Sequence, residues 1–210
     1  AVPMVVGLVN KAKKSGNLDA NGIAGMLQAE TKAYTDNPAN RANLDLINEA
    51  VAAGDQAATL RGKFSDADWK KVRLAPIAAT YLVAKASPSK GKGAAQELGA
   101  AIDAISAAIK VGSPTSLLST AFGGGLTGEE LAVLQKDAPS DETLLRAISG
   151  AKAAVAAQSP IDAAAYSAML SSVAENVANA AKEGGFLGIG GKQVSDAEAA
   201  AVSAIKAALN

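Results

Sequence analysis

The glycine-rich segment at residues 123–128 is the first candidate for chemistry, because it satisfies the pattern G-x-G-x-x-G. In a dinucleotide site these glycines follow a strand and open a helix, so that a pyrophosphate lies against free backbone amides. No strand pattern precedes Gly123, and no β-α-β unit surrounds it. We therefore interpret residues 123–128 as a flexible loop between helices.

A second glycine-rich run, at residues 188–192, invites comparison with a phosphate-binding loop. Phe186 stands where that loop requires its first glycine, and Gln193 stands where it requires a magnesium-binding hydroxyl. The favoured interpretation is a connector that packs its apolar side chains against the core, and the alternative is anion or partner binding at the amide-rich start of the last helix. The candidate interaction residues here are Phe186, Gly188, Gly190, Gly191 and Lys192.

Three carboxylate pairs could act as general acid and base or bind a hard cation: Glu129/Glu130, Asp141/Glu142 and Asp196/Glu198. All three lie in first turns of predicted helices, where the helix dipole stabilises negative charge, so we interpret them as capping residues. The chain has no histidine and no cysteine, which removes the commonest proton shuttle and every thiolate. We expect no catalytic site, no cofactor and no metal site, and an enzyme using Ser-Lys or carboxylate chemistry stays an unsupported alternative.

Trp69 is the sole tryptophan and lies between Asp68 and Lys70. Its ordinary role would be to anchor a helix on the core, and the alternative is a hot spot for a protein partner. It is therefore a further candidate interaction residue.

The composition favours helices as the elements that must position these residues, since alanine is frequent and aromatic residues make up only 3% of the chain. Apolar periodicity predicts a helix over 93–110, with Leu98, Ile102, Ile105 and Ile109 on one face. It also predicts a central helix over 160–182, capped by Ser159 and starting at Pro160, whose inward residues are Ile161, Tyr166, Met169, Leu170, Val173 and Val177.

Capping signals predict four further helix starts, at Ser65, Thr127, Ser140 and Ser195. Ser195 and Glu198 form a capping box, and the helix after them is expected to bury Val202, Ile205 and Leu209. Pro76 predicts a kink or a helix restart, because an interior proline loses a backbone hydrogen bond. The remaining predictions are helices near 4–14, 20–35 and 39–53 and linkers at 54–63 and 87–93.

Charge and length limit the function classes. The 20 basic and 20 acidic residues give zero net charge, so no field favours nucleic acid. No stretch approaches the roughly 18 apolar residues that a membrane-spanning helix needs. With no cysteine, we expect a reduced, cytoplasmic location. The length suits one domain with an appendage.

Residues 64–76, Phe-Ser-Asp-Ala-Asp-Trp-Lys-Lys-Val-Arg-Leu-Ala-Pro, resemble the opening of bacterial helical proteins related to the tellurite-resistance TerB group. The closing segment at residues 180–198 is similar to the end of those proteins. The resemblance implies a TerB-like helical domain over 64–210, linked to stress responses. The family's acidic cation loop is missing, since residues 84–92 carry lysines in its place. Metal binding is therefore not transferred.

Together these patterns predict an all-α bundle of about nine to eleven helices, with an N-terminal helical extension over 1–60 and the TerB-like domain over 64–210. The expected function is a non-catalytic interaction or scaffold module that binds a protein partner or itself. The alternative is a stress-response protein that binds a cation or a small anion.

Overall fold

The computed structural model describes residues 28–29, 32–88, 92–132, 139–180 and 194–210, and every regular element in these ranges is helical. The all-α prediction is therefore confirmed. The α-helices that we number are α1 (Arg41–Gly62), α2 (Asp66–Ala86), α3 (Lys92–Val111), α4 (Leu117–Phe122), α5 (Gly128–Ala132), α6 (Asp141–Gln158), α7 (Ala163–Ala180) and α8 (Asp196–Ala208). None of these helices combines the length and apolarity that crossing a bilayer requires.

The chain divides into two compact units, residues 1–52 and 53–210. In the first unit, the described part contains helical residues 32–36, a 3-10 turn at Pro38–Asn40 and the first half of α1. The helix predicted near 4–14, and most of the one near 20–35, lie outside the described residues.

The linker predicted at 54–63 is wrong, because α1 continues to Gly62. Gly54 lies inside this helix, where a glycine costs only about 1 kcal/mol relative to alanine. The alanine-rich turns around it, which have high helix propensity, offset that cost. A single glycine was therefore a weak boundary signal.

The core of the second unit forms around α2 and α7. Helix α2 packs along α6 and α7, α3 packs along α7, and α8 closes the bundle against α2, α6 and α7. As predicted, α7 turns one face inward. The buried side chains of that face include Tyr166, Met169, Leu170, Val173 and Val177.

Pro76 lies inside α2 without interrupting it, so the prediction of a helix restart is wrong. A proline at position 76 has no N–H for the carbonyl of Val72, one turn earlier. The buried Tyr166 hydroxyl from α7 donates to that carbonyl at 2.8 Å. A tertiary hydrogen bond thus replaces the intrahelical one, and the helix runs on.

The predicted capping residues are confirmed at the starts of α2, α6 and α8. The hydroxyls of Ser65 and Ser140 accept from the third backbone amide after them, at 3.1 and 3.2 Å. Ser195 forms a complete capping box with Glu198, whose carboxylate accepts from the Ser195 amide at 2.8 Å. Ile205 of α8 and Leu209 just after its end are buried as predicted, and Val202 is half-buried.

The start of α7 differs from the prediction. Residues Pro160–Asp162 form a 3-10 turn, and α7 begins at Ala163. Ile161, predicted to point inward, is 92% exposed, so that part of the prediction is wrong. The tighter turn has its own polar contacts, because Asp162 accepts from the Ser159 hydroxyl at 2.5 Å and from the Leu117 amide at 3.2 Å. These contacts orient the turn and leave Ile161 in solvent.

Candidate functional site

Trp69 lies half-buried on α2 and packs against the core. Its ring meets Phe64 edge to face, with centroids 5.5 Å apart, and the Arg61 guanidinium lies 4.9 Å from its centroid. The ring therefore joins the end of α1 to the start of α2, which fits the anchoring interpretation. One edge of Trp69 also lines an open groove of about 320 Å³ with Lys70 and Glu129.

Arg73 organises the loop between α4 and α5, where the G-x-G-x-x-G pattern lies. Its guanidinium forms a bidentate pair with Glu130, with Nη2 donating to Oε2 at 2.7 Å. It also donates to two backbone carbonyls, that of Ala121 near the end of α4 and that of Gly125 in the loop. One side chain of α2 therefore holds the glycine-rich loop in place, and this loop makes a helix-to-helix connection with no strand before it.

This contact lowers the pKa of Glu130. The Arg73 guanidinium, helped by hydrogen bonds from Thr127, lowers the pKa of the Glu130 carboxyl from 4.5 to about 2. The Thr127 amide donates to Glu130 at 2.8 Å, and the Thr127 hydroxyl accepts from the Glu130 amide at 3.2 Å. Glu130 is thus both a capping residue of α5, as predicted, and the partner of Arg73.

A pH dependence follows, since a carboxyl with a depressed pKa stabilises the folded state above its unfolded pKa. We expect Glu130→Gln to lower the free energy of unfolding by on the order of 1 kcal/mol at pH 7. The difference from wild type should shrink as the pH falls below about 4.5 and vanish near pH 2. Urea unfolding from pH 7 to 3 measures it. Glu142→Gln, which alters a fully solvated pair with Arg146, is the control and should change little. A pH-independent difference for Glu130→Gln would contradict the prediction.

An apolar patch, formed by Leu98 and Ile102, occupies the outer surface of α3. These side chains are 39% and 45% exposed and lie one helical turn apart. The face of α3 that packs inward uses smaller side chains instead, with Ala101 and Ala104 buried beside Ile105. Small residues let α3 approach α7 closely, and Leu98 and Ile102 remain partly exposed beside this contact.

Beside this patch lies a narrow apolar slot of about 20 Å³. Pro76 and Ile77 of α2 form one wall, Ile105 of α3 lies beside the patch, and Leu126 and Leu131 close the other wall. The slot is far smaller than the roughly 300 to 1,000 Å³ of pockets that enclose small molecules. Apolar side chains inserted from a surface suit it better than a whole ligand does.

Two larger grooves are open to solvent. A polar one of about 520 Å³ lies between α3 and α7, lined by Gln96, Asp103, Asn176 and Asn179. The other, of about 440 Å³, follows the alanine-rich side of α8. It lies beside the ion pair of Lys85 and Asp141, in which Nζ and Oδ1 are 2.6 Å apart. Neither groove contains a side chain that the sequence singled out as an interaction residue.

Acidic side chains within the described ranges nowhere gather in threes or more as a metal site would require. Asp141 pairs with Lys85, and Glu198 caps α8, which are structural roles.

Of the predicted interaction residues, only Trp69 lies within the part of the chain that the structure describes. Phe186, Gly188, Gly190, Gly191 and Lys192 lie outside the described residues, so Trp69 is the one whose surroundings are known. Arg73 carries no local sequence signal of its role, and periodicity places Leu98 and Ile102 on a common apolar face with Ile105. A signal for the orientation of α3 was present, because alanines at 101, 104 and 108 form a second stripe on the same helix.

Comparison of the chain with protein-family models, with curated proteins and with solved structures finds no match, so the TerB resemblance rests on the motifs at residues 64–76 and 180–198 alone.

Proposed function

We propose that the chain is a non-catalytic helical interaction module that binds a protein partner through the apolar patch of Leu98 and Ile102. The observation that carries the proposal is the exposure of these two large aliphatic side chains, at 39% and 45%, beside an apolar slot. Side chains spaced by one turn are the usual means by which one helix contacts the apolar face of another.

The size of the slot supports a macromolecular partner. A cavity of about 20 Å³ holds little more than one water, whereas side chains from a partner helix could fill it while covering the patch. Leu98 and Ile102 are already more than half buried, so covering their exposed part contributes on the order of 1 kcal/mol each. The partner surface is therefore expected to be an apolar helix face.

The resemblance to TerB-related proteins adds a context to this proposal. Residues 64–210 would form the TerB-like interaction domain, residues 1–60 its N-terminal extension, and the process served would be a stress response in the bacterial cytoplasm. The alternative is binding of a cation or a small anion, and within the described part of the chain no cluster of three or more acidic side chains supports its cation form.

The test compares the full chain with the double variant Leu98→Gln/Ile102→Gln. In the variant we expect the amount of specifically captured partner, or the extent of self-association seen by light scattering, to fall at least about tenfold. The reason is that the side chains that anchor the partner become polar. Quantitative mass spectrometry of pull-downs from the native source measures the first, and light scattering the second.

The matched control is Val111→Gln/Ile161→Gln, which removes two aliphatic side chains that are 91% and 92% exposed away from the slot. It should leave capture and association unchanged. A monomeric wild-type chain whose capture profile equals that of the Leu98→Gln/Ile102→Gln variant would overturn the proposal.

A further inference from the structure

The wall of the slot that carries Leu126 and Leu131 is a short segment of chain. We call residues 123–132, which comprise this loop and α5, the strap. Leu126 and Leu131 are only half-buried, and α5 has no fully buried residue. Partly buried apolar side chains therefore hold the strap against α2 and α3, and polar contacts fix its position in addition.

Those polar contacts come from one side chain of α2. Arg73 binds Glu130 near the end of the strap and the carbonyl of Gly125 near its beginning, and it is itself held by the carbonyl of Ala121 in α4. The Arg73 and Glu130 side chains are 17% and 20% exposed, so the pair is shielded from most of the solvent. The contacts between Thr127 and Glu130 are internal to the strap and tie it to nothing else.

The strap also begins at a flexible point. Three consecutive glycines occupy 123–125, and Gly125 has φ of +78°, a conformation that residues with a side chain rarely adopt. Beyond this point the backbone can pivot at low energetic cost once the Arg73 contacts break.

We propose that the strap is a local gate over the slot, latched by the Arg73–Glu130 pair, and that its opening admits side chains of an apolar partner helix. This proposal rests on the proposed function, since the gate would control access of the partner to the surface beside the patch. Opening moves Leu126 and Leu131 away and exposes Ile77 and Ile105, which extends the apolar surface of Leu98 and Ile102. The latch then sets how often the complete binding surface is available.

The absence of cysteine from the chain allows a direct measurement, because a single introduced thiol is the only one that a reagent can label. Ile105→Cys places the thiol in the slot, at a residue that is 6% exposed. Val155→Cys places it in the core, at a residue with no exposure, and reports global unfolding. The thiol labelling rate of each full-length variant is measured in the wild-type, Glu130→Gln and Arg73→Met backgrounds.

We expect Glu130→Gln to raise the labelling rate at position 105 about tenfold, and Arg73→Met to raise it further, because charged hydrogen bonds to the strap are lost. Labelling at position 155 should stay within about twofold. Glu129→Gln is the matched control; it changes the neighbouring exposed carboxylate and should leave both rates as they are.

Two outcomes would overturn the gate: an unchanged rate at position 105, or an equal rise at positions 105 and 155, which indicates loosening of the whole bundle. Since labelling needs no partner, the gate can fail while the Leu98→Gln/Ile102→Gln variant still loses its partner. Conversely, a latched strap can be found in a chain whose patch binds nothing. The failures of the two proposals are therefore distinguishable.

Discussion

Replacing Tyr166 with phenylalanine is expected to lower the free energy of unfolding by about 1 to 3 kcal/mol, although it removes a single oxygen atom. Tyr166 is fully buried, and its hydroxyl donates to the Val72 carbonyl, which Pro76 deprives of an intrahelical donor. Burial also raises the pKa of Tyr166, so the hydroxyl stays protonated and donating. Without it the carbonyl is buried and unsatisfied, and that desolvation penalty is the expected cost.

A double-mutant cycle with Pro76→Ala isolates this mechanism. Alanine at position 76 restores an N–H one turn after Val72, so Tyr166→Phe should cost at least about 1 kcal/mol less in that background. Urea unfolding of the four proteins measures the coupling, and Tyr34→Phe, at an exposed tyrosine, is the control. Additive effects of the two substitutions would show that the Val72 carbonyl has another donor.

The largest loss is expected from Leu170→Ala, at about 2 to 5 kcal/mol. Leu170 is fully buried on α7, the helix that contacts α2, α3, α6 and α8, so neighbouring side chains cannot easily collapse into the space left. The cost combines lost apolar burial with a residual cavity.

Thermal and urea unfolding measure the effect of Leu170→Ala. Leu46→Ala makes the same chemical change at a side chain that is 64% exposed and should cost under about 0.5 kcal/mol. Similar losses at both positions would mean that α7 is not the centre of the packed core.

Whether a feature could be predicted from the sequence depends on how far apart along the chain its interacting residues lie. The helix starts at Ser65, Ser140 and Ser195 could be predicted because a cap involves only the three residues after it. The continuity of α2 through Pro76 could not, because the compensating hydroxyl of Tyr166 lies 94 residues after the Val72 carbonyl that it satisfies.

The candidate surface was only partly predictable for a similar reason. Periodicity shows that Leu98, Ile102 and Ile105 share a side of α3, but α3 also carries an alanine stripe. The alanine stripe and Ile105 turn inward while Leu98 and Ile102 stay partly exposed, and this depends on how closely α7 approaches, which is a tertiary property. Arg73 was missed because its importance comes from Glu130 and the carbonyls of Ala121 and Gly125, none of them a local neighbour.

The position of Trp69 has a spectroscopic consequence. As the sole tryptophan, wedged between Phe64 and Arg61 at the corner where α1 gives way to α2, it dominates the intrinsic fluorescence of the chain. Circular dichroism at 222 nm would instead average over all the helices. Any fraying that starts at this corner would therefore separate the two melting curves, and their coincidence is a built-in test of two-state unfolding.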